Sequence, residues 1–161
     1  MLGRLCFSCS LAVVVTGAVG CSEEYTECHA MGCLHGASFA GEVTDALGPV
    51  VIEFCFNDQC ESGSGYLGPN NCANFGTTEP ADVICCFQYK TPAGTWVVSG
   101  DASLGTPKPH QGDRYRLRVK DQQTGALLGS GDAEVQYDNY YPNGPECGPE
   151  CKRATFGVAP P

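Results

Sequence analysis

The sequence predicts an all-β protein, an antiparallel β-sandwich of about seven strands stapled by disulfides. Three observations predict it. From Ala37 onward, short apolar or alternating runs are separated by Gly, Pro, Asn and Asp, the punctuation of strands and turns. No stretch sustains an apolar stripe at helical spacing. The chain carries 12 cysteines in 161 residues, and in an exported chain that density reads as a disulfide framework.

Export is read from the first twenty residues. Met1-Leu2-Gly3-Arg4 supplies one positive charge, and an apolar run follows from Leu5 to Val19. The run is too short to span a bilayer, which takes roughly 20 apolar residues, and it ends on small residues. This is the layout of a secretory signal peptide, assigned to residues 1–20. Ala18-Val19-Gly20-Cys21 resembles the lipobox of bacterial lipoproteins. That resemblance implies a Cys21 thiol joined to diacylglycerol and left as the mature N-terminus. Several acyl chains would hold the protein to a membrane where one would not. Ser22, not Asp, follows, and the resemblance then implies export to the outer membrane. Ala18 and Gly20 also satisfy an ordinary signal peptidase site, which would release a soluble secreted or periplasmic protein.

Residues 21–36, "CSEEYTECHAMGCLHG", are polar and aperiodic and read as a tether stapled near its end. Residues 37–161 form the sandwich domain. "ASFAGEV" and "VVIEFCFN" are its first strands; "DVICCFQYK" and "TWVVSG" follow, joined by a turn at Thr91-Pro92-Ala93-Gly94. In "DRYRLRVKD", Tyr115, Leu117 and Val119 alternate with Arg114, Arg116, Arg118 and Lys120, the pattern of a half-buried strand. "ALLGSGDAEVQYD" completes a hairpin after Gln122-Gln123-Thr124-Gly125, and "RATFGV" reads as a final edge strand. "GDRYRLRVKD" is similar to the D-x-Y strand of immunoglobulin-like domains, in which the tyrosine caps a corner. The Cys…Trp…Cys order of antibody domains is absent, since Trp96 follows Cys85 and Cys86, so the sandwich is Ig-like in the loose sense.

Cys6 and Cys9 leave with the signal peptide. Cys21, Cys28, Cys33, Cys55, Cys60, Cys72, Cys85, Cys86, Cys147 and Cys151 remain. A lipidated Cys21 would leave nine and force one thiol to stay free or pair between molecules, whereas a free Cys21 allows five bridges. In "FCFNDQCES" a turn at Asn57-Asp58 sets Cys55 opposite Cys60 at bridging distance. Cys85 and Cys86 are strand neighbours with side chains on opposite faces. They are expected to bridge separately, one across the core and one outward, with Cys72 a partner for one of them. Cys28 with Cys33 and Cys147 with Cys151 would close small rings.

"YYPNGPECGPECKRATF" resembles a C-terminal motif, roughly Y-P-N-G-P-x-C-x-P-x-C, of exported Gram-negative lipoproteins of unassigned function. With the lipobox-like start, the "CFNDQC" hairpin and the "GDRYRLRVKD" strand, the similarity runs over most of the mature chain. It implies a location and a shape, and no activity.

Chemistry-bearing patterns are few. Cys28, His29, Cys33 and His35 are residue types that zinc accepts, at a spacing that matches no common zinc module. Cys33 lies two residues from His35, but neighbours on an extended segment seldom face one another as nucleophile and base. "GASFAG" misses the G-x-S-x-G elbow at Ala40, and no cofactor motif occurs, so a non-catalytic protein is expected. Asp132, Asp138 and Asn139 offer oxygen ligands of the calcium type. Trp96, Tyr137, Tyr140 and Tyr141 could make an aromatic platform for a glycan or protein partner. The formal charge is −9, from 9 Lys+Arg against 18 Asp+Glu, and losing Arg4 deepens it. Such a surface repels phosphate backbones and anionic head groups, and argues against nucleic acid and against direct electrostatic docking to a membrane.

Overall fold

The computed structural model describes residues 33–44, 48–76, 81–105 and 107–161. Among them are ten strands: β1 (Gly36–Val43), β2 (Gly48–Phe56), β3 (Gln59–Leu67), β4 (Asn71–Phe75), β5 (Ala81–Lys90), β6 (Trp96–Leu104), β7 (Arg114–Asp121), β8 (Leu127–Glu134), β9 (Asp138–Tyr140) and β10 (Cys151–Val158). They form a six-stranded sheet, β4-β5-β6-β1-β10-β9, facing a four-stranded sheet, β3-β2-β7-β8. The predicted disulfide-stapled β-sandwich is the fold observed.

One core lies between the sheets. The alternation read in β7 holds: Tyr115, Leu117 and Val119 are fully buried, while the Arg and Lys between them face out. β2 contributes Val50, Ile52 and Phe54 to the same core, and the facing sheet answers with Phe39, Val83, Phe87 and Val98. Each such side chain taken wholly out of water contributes about 1.5–3 kcal/mol.

Two details differ from the sequence reading. β10 is not an edge strand. It lies between β1 and β9 and pairs with β1 in parallel, Gly36 beside Arg153 and Phe39 beside Phe156, the one parallel pairing among the described strands. Besides the short β9, β3 and β4 also add to the seven or so strands expected. Their sequences, "QCESGSGYL" and "NCANF", show no apolar alternation. The inward position Gly63 explains this: a Cβ there would collide with the ring of Phe75, so β4 fills from across the gap the space β3 leaves empty.

Turns follow local chemistry. Asn57, in the β2–β3 turn, has φ +53°, a left-handed conformation that Asn tolerates better than most residues. After β7, Asp121 Oδ1 accepts from the Gln123 and Thr124 amides at 3.0 and 2.7 Å. These bonds hold its carboxyl below the usual range.

The Gly63–Phe75 fit gives a direct test. Gly63→Val is expected to destabilise by about 1–3 kcal/mol through overpacking. Phe75→Ala in the same chain should recover part of that loss, a non-additivity measurable by urea titration of the two single variants and the double.

Candidate functional site

The structure places the cysteines in three roles. The first is local stapling of hairpins. Cys55 faces Cys60 across the β2–β3 turn and is bonded to it, with Cα atoms 4.0 Å apart, as the spacing predicts. Cys72 on β4 faces Cys86 on β5 and is bonded to it, again at 4.0 Å, so Cys72 is indeed the partner of one of the adjacent pair. The Arg116 guanidinium donates to Cys55 Sγ at 3.1 Å and lies over the first of these bridges.

The second role is long-range. Cys33 is bonded to Cys151, 118 residues away, with Cα atoms 5.3 Å apart. This overturns the two small rings expected from spacing: Cys33 does not pair with Cys28, nor Cys151 with Cys147. The reason is register. The chain entering β1 runs parallel to β10, and Gly36 beside Arg153 brings Cys33, just before β1, to Cys151, the first residue of β10. Cys147 is also disulfide-bonded, while Cys21, Cys28 and His29 lie outside the described residues.

The third role is a free thiol. Cys85 is fully buried and unbonded, so the expected bridge across the core does not form. Its side chain faces inward between Ala73 and Gly100 on the flanking strands, the face opposite to Cys86, as strand geometry requires. Burial pushes this thiol up from 9.0 to about 12.

Around the Cys33–Cys151 bridge, the incoming segment is fixed to the domain. The His35 carbonyl accepts from the Leu104 amide at 2.8 Å, and the Leu34 carbonyl accepts from the Tyr140 hydroxyl at 3.1 Å. His35 Nδ1 accepts from the Lys152 amide at 3.1 Å. Cys33, in its disulfide, has no thiolate to offer a metal or a substrate. On the outer face of the six-stranded sheet, Arg153 pairs with Asp101 and bonds Ser38 Oγ at 3.1 Å. Beside it is a cavity of about 410 Å³ bordered by Asp138, Tyr140 and Arg153.

The other candidate residues disperse. Asp132 is engaged by Arg114 at 2.7 and 3.0 Å, and that guanidinium holds its carboxyl below the usual range. Trp96 and Tyr137 are buried in the core, whereas Tyr141 is exposed. The four aromatics therefore do not form one platform. Tyr137 instead completes a buried polar network that the sequence reading missed. Its hydroxyl lies 2.7 Å from that of Tyr115 and donates to Asp113 Oδ2 at 3.1 Å. Asp113 also accepts from the His110 amide and from Asn57. The signal available was the D-x-Y spacing of Asp113 and Tyr115; nothing local marked Tyr137 as the third member. Burial is the chief cause pushing both tyrosines above their ordinary range.

No family model, curated protein or solved structure matches the chain.

The three buried acids give an alkaline signature. Each has a folded pKa above its unfolded value, so the folded chain keeps protons that the unfolded chain loses. Their stabilisation is complete below the unfolded values and declines as pH rises past about 9, the ordinary value for Cys85. Urea midpoints measured between about pH 8 and 11 should therefore fall. Tyr137→Phe, which has no hydroxyl to ionise, should flatten that decline.

Proposed function

We propose that this chain is a non-catalytic lipoprotein of a Gram-negative cell envelope, held in the outer membrane through Cys21, with the β-sandwich serving surface interaction or envelope structure. The observation that carries the proposal is cysteine parity. Ten cysteines follow the signal cleavage expected at residue 20. With Cys85 free and buried, nine are left, an odd number. Three bridges use six of them, and Cys147 is bonded as well. One further cysteine must then stand outside the intramolecular bridges. Cys21 is the residue whose surroundings offer another fate, a thioether to lipid. The oxidised cysteines also support an exported location.

The fixed segment around Cys33 fits the same reading. A tether joined by a disulfide at the point where it meets the domain transmits its position to both β1 and β10. The disposition of Cys33 and His35 supports a non-catalytic role, since one is bonded to Cys151 and the other holds the Lys152 amide.

Two measurements test the proposal together. Mass spectrometry of the N-terminal peptide from membrane-fraction protein should show an acylated Cys21. Alkylation in denaturant without reductant should label one thiol per chain, Cys85. An unmodified Cys21 with a second labelled thiol, or with a disulfide-linked dimer, would point instead to a soluble secreted module.

A further inference from the structure

We propose that a cleft beside the Cys33–Cys151 bridge, formed by His35, Lys108, His110 and Lys152, is a binding site for a phosphate group. The cleft has a volume of about 290 Å³ and is bordered by these four residues and Pro109. They come from three places in the chain: His35 precedes β1, Lys152 lies in β10, and Lys108 to His110 belong to the β6–β7 loop. That convergence is a property of the fold and is invisible in the sequence.

The charge of the cleft stands against that of the whole chain. At a net −9, four of the cations are matched to acids, Arg114 to Asp132, Arg118 and Lys120 to Glu53, and Arg153 to Asp101, and Arg116 donates to the Cys55 sulfur. Among the described residues, Lys108 has no carboxylate partner, and the Lys152 ammonium donates to the neutral Pro109 carbonyl at 3.5 Å. Both therefore keep their charge unneutralised at one cavity. The nearest acid on this loop, Asp113, is turned inward and occupied by the His110 amide, Asn57 and the Tyr137 hydroxyl.

Hydrogen-bond capacity points the same way. Because His35 Nδ1 accepts from the Lys152 amide at 3.1 Å, the neutral ring carries its hydrogen on Nε2, as a donor. The cleft therefore combines two ammonium groups with an imidazole donor, and the second histidine, His110, is exposed. Ammonium groups serve phosphate as point charges without the planar fit that carboxylate draws from arginine. The volume leaves room for the anion with some of its water.

Phosphoryl oxygens reach such a cleft either on a free phosphate or on a lipid headgroup. The site stands on its own residues and does not depend on acylation of Cys21. Cys33 lies twelve positions after Cys21, a span of at most about 43 Å when extended, so an anchored chain would hold the cleft within reach of the headgroup layer.

The test uses the full mature chain carrying Cys21→Ser, so that lipid on the protein cannot itself bind vesicles. One arm titrates inorganic phosphate and follows the His35 and His110 ring resonances. The other measures co-sedimentation with phosphatidylcholine vesicles, with and without phosphatidylglycerol. The proposal expects saturable shifts with phosphate, anion-dependent sedimentation, or both, and the arm that responds identifies the source. Lys108→Gln and Lys152→Gln should each weaken the response about fivefold, the scale of one partly exposed charge contact. Lys90→Gln, on β5 and outside the cleft, should leave it unchanged, and circular dichroism checks that each variant is folded. No saturable response in either arm, or equal weakening by Lys90→Gln, overturns the site.

Discussion

The constraint on which the rest depends is the burial of Tyr115 with its hydroxyl satisfied. Its ring lies 5.3 Å from that of Phe56, 5.9 Å from those of Phe54 and Phe156, and 6.4 Å from that of Tyr137. It therefore touches the core contribution of both sheets. A tyrosine at zero exposure is tolerable only if its O–H finds a partner, because an orphaned buried hydroxyl costs about 1–3 kcal/mol. Tyr137 accepts that bond and passes its own hydrogen to Asp113. Asp113 is fixed in turn by a backbone amide and by Asn57, whose left-handed turn carries the chain from β2 to β3. One phenol thus ties the position of a hairpin turn, a loop and the segment before β9 to the packing of the core.

The disulfides act at the margins of this core. Two of them close short hairpins, where the chain-entropy model gives about 2 kcal/mol for Cys55–Cys60 and about 3 kcal/mol for Cys72–Cys86. Cys33–Cys151 spans nearly the whole domain, and the same model gives about 5 kcal/mol. Its placement answers a specific weakness. β1 and β10 are the first and last described strands and pair in parallel, so bringing them together closes the longest loop available, and such pairings are slow and entropically costly. A covalent link at the mouth of that pair removes much of the cost from the unfolded side, and an oxidising location would keep the link closed.

The parts of the fold legible in the sequence were those whose signal is local. Alternation in β7 was readable because one face meets the core and the other water. The Cys55–Cys60 bridge was readable because a two-residue turn dictates who faces whom, and the opposed faces of Cys85 and Cys86 follow from strand geometry alone. β3 was legible only at its start, where the Asn57-Asp58 turn places Cys60; beyond it the inward Gly63 and Gly65, the first shaped by Phe75 of the next strand, leave no apolar alternation to read. β10 looked like an edge because nothing in "RATFGV" announces β9 beyond it. Cys33 and Cys151 were misassigned because spacing favours the nearest cysteine, whereas register between strands far apart in sequence decides the pair. The basic cleft was hidden for the same reason, its four side chains being drawn from three separated segments.

Cys85 shows how the fold keeps a free thiol harmless next to a disulfide. It is the chain neighbour of Cys86, and an exposed thiolate there would be free to attack the Cys72–Cys86 bridge and scramble it. Two features prevent this. The pleat sends the Cys85 sulfur into the core while its neighbours bridge on the outer face, so attack requires the strand to open. Burial also holds the thiol protonated up to about pH 12, leaving almost no thiolate at neutral pH to act as nucleophile. The residue then behaves as a small apolar side chain between Ala73 and Gly100, positions too small to crowd it. An unpaired cysteine in an otherwise oxidised domain is thereby stable for as long as β5 stays closed, and it is this persistence that makes the cysteine count informative about Cys21.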